Sequence, residues 1–137
     1  MNKTQTKNMQ KDFKTWHKQK TRINSVASVP YFHEREIWFC YMGANVGFEQ
    51  DGRGVDFQRP VIVIKKFNNR IGWVVPLSRT KRRGQYYHEF TFGKNEVSVA
   101  ILSQLRLLDA HRLSRRIGTI KEVDFEELIK KLKDLFP

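Results

Sequence analysis

Two polar side chains stand at the ends of apolar runs, where they could act on a phosphate group. Arg59 opens residues 59–67, and Ser78 follows residues 71–77. A guanidinium stays charged and offers its donors in a fixed fork, so it suits a crowded phosphorus centre, while a hydroxyl can donate to a phosphate oxygen. The end of a strand is also a rigid base from which to aim a side chain. Taken alone, such an arginine more often forms a surface salt bridge, and such a serine is an ordinary turn residue.

The loop before Arg59 adds a carboxylate. Glu49 lies within residues 43–58, a loop of unusual length for a compact domain, and such loops are often functional. These groups could cleave RNA through its own 2′-hydroxyl, which attacks the adjacent phosphorus and expels the 5′-oxygen. Catalysis then requires orientation, acceptance of a proton and stabilisation of the charged phosphorus centre. An exposed carboxylate is a weak base at neutral pH, so Glu49 either gains basicity from burial or orients Arg59, the role that we favour.

A cluster of basic residues follows Ser78 directly. Such a loop can track the backbone of a single strand while nearby aromatic rings stack on its bases. The alternative is a solvated charged loop. The RNA-binding candidates are Gln50, Arg79, Lys81, Arg82 and Arg83, with Phe48, Tyr86 and Tyr87 as stacking faces.

The charge of the whole chain favours a polyanionic partner. Lysine and arginine outnumber aspartate and glutamate 26 to 14, for a net charge of +12. Residues 1–24 contribute +6 and residues 25–118 contribute +7, whereas residues 119–137 contribute −1. A basic body with a nearly neutral C-terminus fits a nucleic-acid binder, although basic charge also serves solubility alone.

No metal, cofactor or membrane signal accompanies these residues. The single cysteine, Cys40, lies in an apolar run and is predicted to be a core residue in a reducing, cytoplasmic setting. No stretch approaches the roughly 18 apolar residues of a membrane span, and the polar N-terminus does not resemble a secretory signal. The histidines are isolated from one another and lack partners at metal-ligand spacing. They are His17, His33, His88 and His111.

The length of the chain allows one compact domain, which we place at residues 31–137 behind a basic extension at residues 1–30. Residues 1–10 are polar and aperiodic, which predicts disorder. Residues 11–24 carry a narrow apolar stripe at helical spacing, which predicts a basic helix. The stripe consists of Phe13, Trp16, Lys20 and Ile23.

The remaining pattern predicts a mainly β fold with helices. Runs rich in β-branched and aromatic residues predict strands, and turn residues at 68–70 predict a hairpin. The strands are expected at residues 36–41, 59–67, 71–77, 88–92, 97–102 and 115–118. Residues 122–136 follow the i, i+3, i+4, i+7 pattern of an amphipathic helix. Thr119 with Glu122 could form a capping box, or the cap could lie one or two residues later. The expected architecture is a small, strongly curved β-barrel with helices added to it.

In order and spacing, five blocks resemble the MazF/PemK/Kid toxins of bacterial toxin–antitoxin pairs. The blocks are Ile37-Trp38 with Gly43, Val46-Gly47-Phe48-Glu49-Gln50, Arg59-Pro60-Val61-Ile62-Val63-Ile64, Pro76-Leu77-Ser78 and residues 99–109. The resemblance covers about residues 35–136. It implies an SH3-like barrel, a homodimer with RNA along a groove at its interface, and a cognate antitoxin whose tail occupies that groove.

The resemblance also implies roles for single residues. Arg59 matches a catalytic arginine of MazF-like enzymes, and Ser78 matches the Thr or Ser beside it. Kid-like members carry a His where this chain has Phe48, so the Kid-type acid–base set is missing. Residues 53–58 are an insertion before Arg59 that bears on substrate preference, because this loop borders the RNA groove in the family. Two residues of the last block are predicted to be structural, Gln104 and Arg106.

These observations lead to one hypothesis and two alternatives. The hypothesis is a metal-independent, sequence-specific endoribonuclease toxin that cleaves single-stranded RNA through attack of the 2′-hydroxyl. The alternatives are a barrel that binds nucleic acid without catalysis and a CcdB-like toxin that poisons DNA gyrase by protein binding. The pair Arg59 and Ser78 favours the nuclease, because neither alternative needs it.

The apolar stripe of residues 11–24 is too narrow to stabilise a free helix. The helix must therefore pack on its own barrel, on a second subunit or on an antitoxin, and we expect it to pack on the toxin dimer.

Overall fold

The computed structural model describes residues 11–137, in which one curled antiparallel sheet lies between two helices. The helices are α1 (Phe13–Asn24) and α2 (Glu122–Lys133). The strands are β1 (Glu36–Tyr41), β2 (Gln58–Lys66), β3 (Ile71–Ser78), β4 (Tyr87–Phe92), β5 (Glu96–Ile101), β6 (Arg106–Asp109) and β7 (Leu113–Thr119). The predicted small, mainly β, barrel-like fold with a helix near each end is confirmed. The disorder predicted for residues 1–10 falls outside the described residues.

The curl of the sheet comes from β3, which changes partners along its length. The strand order is β4-β5-β3-β2-β1-β7, and β6 also pairs with β3. The first half of β3 pairs with β6, from Ile71 opposite Asp109 to Val74 opposite Arg106, and its end pairs with β5, where Ser78 lies opposite Val99. Between β5 and β6 the chain makes a short 3₁₀ turn, Leu102–Gln104. This turn lets the chain leave β3 and rejoin it, which the mainly apolar pattern of residues 97–108 did not reveal.

Two apolar clusters fill the two faces of the sheet. Ile62 and Ile64 of β2 pack with Leu128 of α2 in one cluster, whereas Val61 and Val63 belong to the other. Successive side chains of a strand point to opposite faces, so a strand that is buried on both faces reads as a continuous apolar run. This explains the unbroken sequence of β2. Cys40 is also fully buried, and burial raises the pKa of its thiol to about 12, which makes it the inert core residue that was predicted.

The C-terminal helix begins without the predicted cap. Lys121 occupies the N-cap position and makes no side-chain hydrogen bond. Thr119 cannot cap the helix because it is the last residue of β7, opposite Glu36, so the capping box at Thr119 was wrong, whereas an N-cap two residues later was among the positions that the sequence left open. Leu128 and Leu132 bury the inner face of α2. No helix within residues 11–137 combines the length and the apolarity needed to cross a membrane.

The N-terminal helix packs on its own barrel, the first of the three possibilities raised by its sequence. Asp12 caps it by accepting a hydrogen bond from the backbone of Thr15 at 3.0 Å. Its buried residues are Trp16 and Gln19, whereas Phe13 remains 47 % exposed. The Trp16 indole lies over Gly43, which has a φ of +80°, and a Cβ built there would come within 2.0 Å of the ring. A glycine is therefore required beneath this tryptophan.

We expect Trp16→Ala to lower the free energy of unfolding by about 3 kcal/mol, because the change removes a large buried ring and leaves a cavity. Urea unfolding measures the effect. Phe13→Ala is the matched control on the same helix, and its loss should stay below about 1 kcal/mol because that ring is half exposed. Equal, small losses for both variants would show that α1 does not pack on the barrel through Trp16.

His88 of β4 is a buried histidine without a hydrogen-bond partner. Its side chain is 4 % exposed, and neither ring nitrogen is hydrogen-bonded within residues 11–137. Burial lowers its pKa below 6.5, Lys131 lowers it further, and Glu127 and Asp124 of α2 oppose the shift. As the pH falls, the imidazole of His88 therefore takes up a proton in the unfolded chain before it does so in the folded protein.

This histidine should make the protein less stable in acid. Since the folded-state pKa lies below the unfolded value, the unfolded chain binds more protons, and stability is complete above about pH 6.5 and falls as the pH drops towards the folded pKa. His88→Phe should remove that contribution, so the difference in unfolding free energy between variant and wild type should grow from about pH 7.5 to about pH 5.5. Replacement of the exposed His17 with Gln should leave the wild-type pH dependence in place. A constant difference between His88→Phe and wild type would contradict the prediction.

Candidate active site

Arg59 is held by two backbone carbonyls at the start of β2. Its Nε donates to the carbonyl of Asp51 at 2.6 Å, and its Nη1 donates to the carbonyl of Leu77 at 3.1 Å. Within residues 11–137, no carboxylate forms an ion pair with it. Carbonyl oxygens orient the guanidinium without neutralising it. The N–H groups that take no part in these two bonds can donate to a ligand. The surface salt bridge considered for this arginine is therefore not its role among the described residues.

The surroundings of Arg59 favour an anionic ligand. Burial lowers the pKa of its guanidinium, the positive charge of Arg53 lowers it further, and Asp51 opposes the shift. A guanidinium nevertheless keeps its proton at neutral pH, because its ordinary pKa lies far above neutral. A partly desolvated cation beside a second cation is stabilised by an incoming phosphate.

A cleft of about 580 Å³ joins Arg59 to Ser78. Val61 of β2 lies opposite Pro76 of β3 in an antiparallel pair. Arg59 lies two residues before Val61 and Ser78 lies two residues after Pro76, so both stand at the same end of the hairpin. Ser78 Oγ accepts a hydrogen bond from the backbone of Thr80 at 3.1 Å, which leaves its own proton for donation. The other lining residues are Phe39, Arg53, Gln58, Pro60, Leu77, Arg79, Thr80, Phe92, Glu96, Ser98 and Ile117.

Glu49, which was predicted to accept a proton or, as we favoured, to orient Arg59, is not among the residues that line this cleft. Its carboxylate accepts a hydrogen bond from the backbone of Val46 at 3.0 Å, within its own turn. The orienting contact that we assigned to Glu49 is made instead by the backbone carbonyl of Asp51. The carboxylate that does line the cleft is Glu96, the exposed first residue of β5, which the sequence analysis did not single out.

Gln50 lies beside Glu49 in a turn that is held from the distal block. The side chain of Gln104 donates to the carbonyl of Phe48 at 3.3 Å and accepts from the backbone of Gln50 at 3.4 Å. These contacts agree with the structural role predicted for Gln104. Gln50 is half-buried and lies outside the residues that line the cleft, so its proposed contact with RNA stays a prediction.

The basic loop leads away from the cleft. Arg79 lines the cleft, and Lys81, Arg82 and Arg83 are exposed further along the chain. The guanidinium of Arg82 lies 5.8 Å from the centre of the Tyr87 ring. The loop thus places basic groups and an aromatic face next to each other on the surface, as the sequence predicted.

Arg53 is a cleft residue that the sequence analysis missed. It stands at the start of the insertion, which closes as a small hairpin: the backbone of Arg53 exchanges hydrogen bonds of 2.7 and 3.0 Å with Gln58. The insertion itself was the available signal, because a hairpin just before Arg59 must bring its first residue back beside it. Three arginines, Arg53, Arg59 and Arg79, therefore line one cleft.

No group of three or more His, Cys, Asp or Glu side chains within residues 11–137 is arranged to hold a metal ion. The residues that line the cleft supply arginine cations and hydroxyl groups. Such an arrangement can bind a phosphodiester and stabilise the extra negative charge that develops when its phosphorus is attacked.

The barrel resembles a known protein family and several solved structures. Residues 33–136 match the family described as PemK-like, MazF-like toxin of type II toxin–antitoxin system. The match begins after α1, so the helix lies outside it. No curated protein sequence matches the chain significantly.

Several solved structures share the fold. A MazF from Deinococcus radiodurans superposes with a TM-score of 0.62 at 16 % identity, over 79 % of this chain and 96 % of that one. A MazE–MazF structure from the same organism gives a TM-score of 0.55 at 15 % identity, over 79 % and 95 %. A structure described as an endoribonuclease from a mycobacterial species gives a TM-score of 0.55 at 12 % identity, over 80 % and 97 %. At these identities the likeness concerns the fold.

Proposed function

Since the chain belongs to the PemK/MazF family of type II toxins, we propose that it is an endoribonuclease that cleaves single-stranded RNA without a metal ion. The observation that carries the proposal is the guanidinium of Arg59, which is oriented by two carbonyls, is not neutralised, and shares a cleft with Ser78. The mycobacterial structure with the same fold is described as an endoribonuclease, which supports this reading.

In the proposed reaction, the RNA 2′-oxygen attacks the adjacent phosphorus and the 5′-oxygen leaves, so the products carry a 2′,3′-cyclic phosphate and a 5′-hydroxyl. Arg59 donates to the non-bridging oxygens, whose negative charge grows in the transition state. Ser78 donates a further hydrogen bond to the same phosphate. Both side chains stand on strands, which keeps the donors in place while the substrate changes.

Proton transfer requires a different assignment from the one suggested by the sequence. Glu96 lies in the cleft and is the better-placed carboxylate, whereas Glu49 is engaged in its own turn. An exposed carboxylate is a modest base at neutral pH. Charge stabilisation and positioning by Arg59 therefore supply most of the proposed catalysis. Glu96 accepts the 2′-proton, and water protonates the leaving 5′-oxygen.

The basic loop is proposed to bind the RNA backbone on either side of the reacting phosphate, through Arg79, Lys81, Arg82 and Arg83. We further propose that the protein acts as a homodimer in the cytoplasm and is inhibited by a cognate antitoxin. The structure described as a MazE–MazF complex supports such a partner. Neither a passive nucleic-acid-binding barrel nor a gyrase poison would need a fixed guanidinium and a hydroxyl in one cleft.

We expect the purified protein to cleave mixed-sequence RNA in the presence of EDTA and to leave 5′-hydroxyl ends. Arg59→Ala should lower kcat roughly 10²–10³-fold, or about 3–4 kcal/mol, as for the loss of one preorganised donor. Arg70→Ala is the matched control, since Arg70 is an exposed arginine at the opposite end of the β2–β3 hairpin. Gel analysis of end-labelled RNA gives both the rate and the chemistry of the ends.

Three outcomes would count against the proposed chemistry. Full activity in Arg59→Ala would remove its catalytic role, and 5′-phosphate products would indicate attack by water instead of the 2′-hydroxyl. Cleavage that stops in EDTA and returns with added Mg²⁺ would show that a metal ion takes part.

The inactive Arg59→Ala protein should still form dimers and bind single-stranded RNA. Its binding constant should fall linearly on a double-logarithmic plot against salt, with a slope of about −0.7 for each phosphate neutralised. Replacing Arg82 and Arg83 with Gln should make this slope less steep, whereas the same change at Lys65 and Arg70 should not. Fluorescence anisotropy and light scattering at micromolar concentration provide the measurements. A monomer, or RNA binding that does not respond to salt, would contradict the proposal.

A further inference from the structure

Lys11, a buried lysine just before the N-cap of α1, connects the N-terminal segment to the loop that orients Arg59. Lys11 Nζ lies 2.9 Å from Oδ2 of Asp51 and donates to the carbonyls of Asn45 and Gly47, each at 2.7 Å. Its side chain is only 9 % exposed. An ammonium group has three N–H donors, so these contacts account for all of them. A lysine that is buried in this way costs desolvation energy unless its charge is paired, which indicates a specific role for the contact.

Asp51 connects this lysine to Arg59. Its carboxylate accepts from Lys11 and from the backbone of Asn45 at 2.7 Å, and its backbone carbonyl accepts from Arg59 Nε at 2.6 Å. One residue therefore receives the lysine on its side chain and orients the arginine with its main chain. A displacement of Asp51 would move the acceptor that sets the plane of the guanidinium.

Few apolar contacts hold the loop around Asp51. Val46 is 75 % exposed and Phe48 is 88 % exposed, so these side chains add little to the burial of the loop. Its first half is held by polar contacts from Asn45 and Gln104 to neighbouring backbone groups. Among residues 11–137, the carboxylate of Asp51 is bonded only to Lys11 and to the backbone of Asn45.

The same helix also holds the other side of this loop, just before Arg59. Gln19 Nε2 donates to the carbonyl of Asp56 at 2.8 Å, and the Trp16 and Phe57 rings lie 5.6 Å apart. Phe57 has a φ of 54°, a conformation that is unusual for a bulky residue and persists only where its surroundings impose it. The segment of Lys11 and helix α1 thus contacts both the turn before the insertion, through Lys11, and the insertion itself, through Trp16 and Gln19.

From these contacts we propose that α1 is part of the active site and that Lys11 is a positioning residue, which acts through Asp51 on the guanidinium of Arg59. This inference rests on the proposed RNA cleavage for its kinetic consequence, but the coupling between Lys11 and Arg59 stands on the structure alone. Loss of the Lys11 ammonium should leave RNA binding largely intact, because the basic loop after Ser78 lies elsewhere. It should reduce kcat, because a donor displaced by a fraction of an ångström stabilises the transition state less.

The kinetic test compares Lys11→Met with Lys18→Met. Both variants remove one positive charge from the same part of the chain, but Lys18 is exposed on α1. For Lys11→Met we expect kcat to fall roughly 10- to 100-fold, with KM within about twofold of that of Lys18→Met. Lys18→Met should keep the wild-type kcat. Circular dichroism melts of both variants ensure that the assay temperature lies well below unfolding.

A second measurement does not require activity. In protein labelled with ¹⁵N-arginine, the Arg59 Nε–H signal, identified by its loss in Arg59→Lys, should exchange slowly with solvent because that proton is bonded to the Asp51 carbonyl. Lys11→Met should raise its exchange rate by at least about tenfold, whereas Lys18→Met should not. If Lys11→Met fails to fold, Lys11→Gln, which keeps donors for the carbonyls of Asn45 and Gly47, is used for both measurements.

The outcomes separate this inference from the proposed function. Slow exchange of the Arg59 signal in the Lys11 variant would overturn the positioning role, even if kcat had fallen. A lower kcat together with fast exchange would support it. If the wild-type protein cleaves no RNA, the proposed function fails, and the exchange measurement alone decides whether Lys11 positions Arg59.

Discussion

The orientation of Arg59 by backbone carbonyls is the constraint on which the rest of the site depends. A carboxylate in the place of the Asp51 and Leu77 carbonyls would hold the guanidinium equally well, but it would also neutralise its charge and compete with a phosphate. Carbonyl dipoles fix the direction of the donors and leave the charge for the ligand. The two carbonyls must themselves be held in place. That of Leu77 belongs to the neighbouring strand, whereas that of Asp51 belongs to a loop, which needs contacts of its own to stay fixed.

The two features that depart from the family pattern, the N-terminal helix and the insertion before Arg59, support one another. Trp16 packs against the ring of Phe57, and the carbonyl of Phe57 accepts from the backbones of Met42 and Gly43. Gly43 and Gly52 allow this close approach, since a Cβ at Gly52 would lie 1.5 Å from the Phe57 carbonyl oxygen. Because α1 lies outside residues 33–136, which match the family, the chain combines a common barrel with a helix that packs on the loop before Arg59.

Local patterns predicted the elements that carry the site. The continuous apolar run of β2, the turn at residues 68–70 and the run of β3 indicated a hairpin, and a hairpin of that length brings Arg59 and Ser78 to the same end. The burial of Cys40 followed equally from its apolar neighbours. Alternation and turn chemistry are properties of neighbouring residues, so they can be read without knowledge of the fold. The 3₁₀ turn between β5 and β6 was not predicted, because Leu102 continues the apolar run of β5 and Ser103 and Gln104 are too few polar residues to mark a turn.

The sequence by itself thus determined the type of each element, the hairpin and the two side chains at its end. Only the tertiary structure decided which groups surround Arg59: the Asp51 carbonyl instead of the Glu49 carboxylate, Arg53 beside it, and Lys11 behind Asp51. Main-chain carbonyls occur at every residue and carry no sequence signal, so an acceptor for a guanidinium cannot be identified until the chain is folded. Lys11 and Asp51 are 40 residues apart, and in the sequence each reads as an ordinary surface charge. Their pairing depends on where α1 packs, and that packing is set by the shape of the barrel around Trp16.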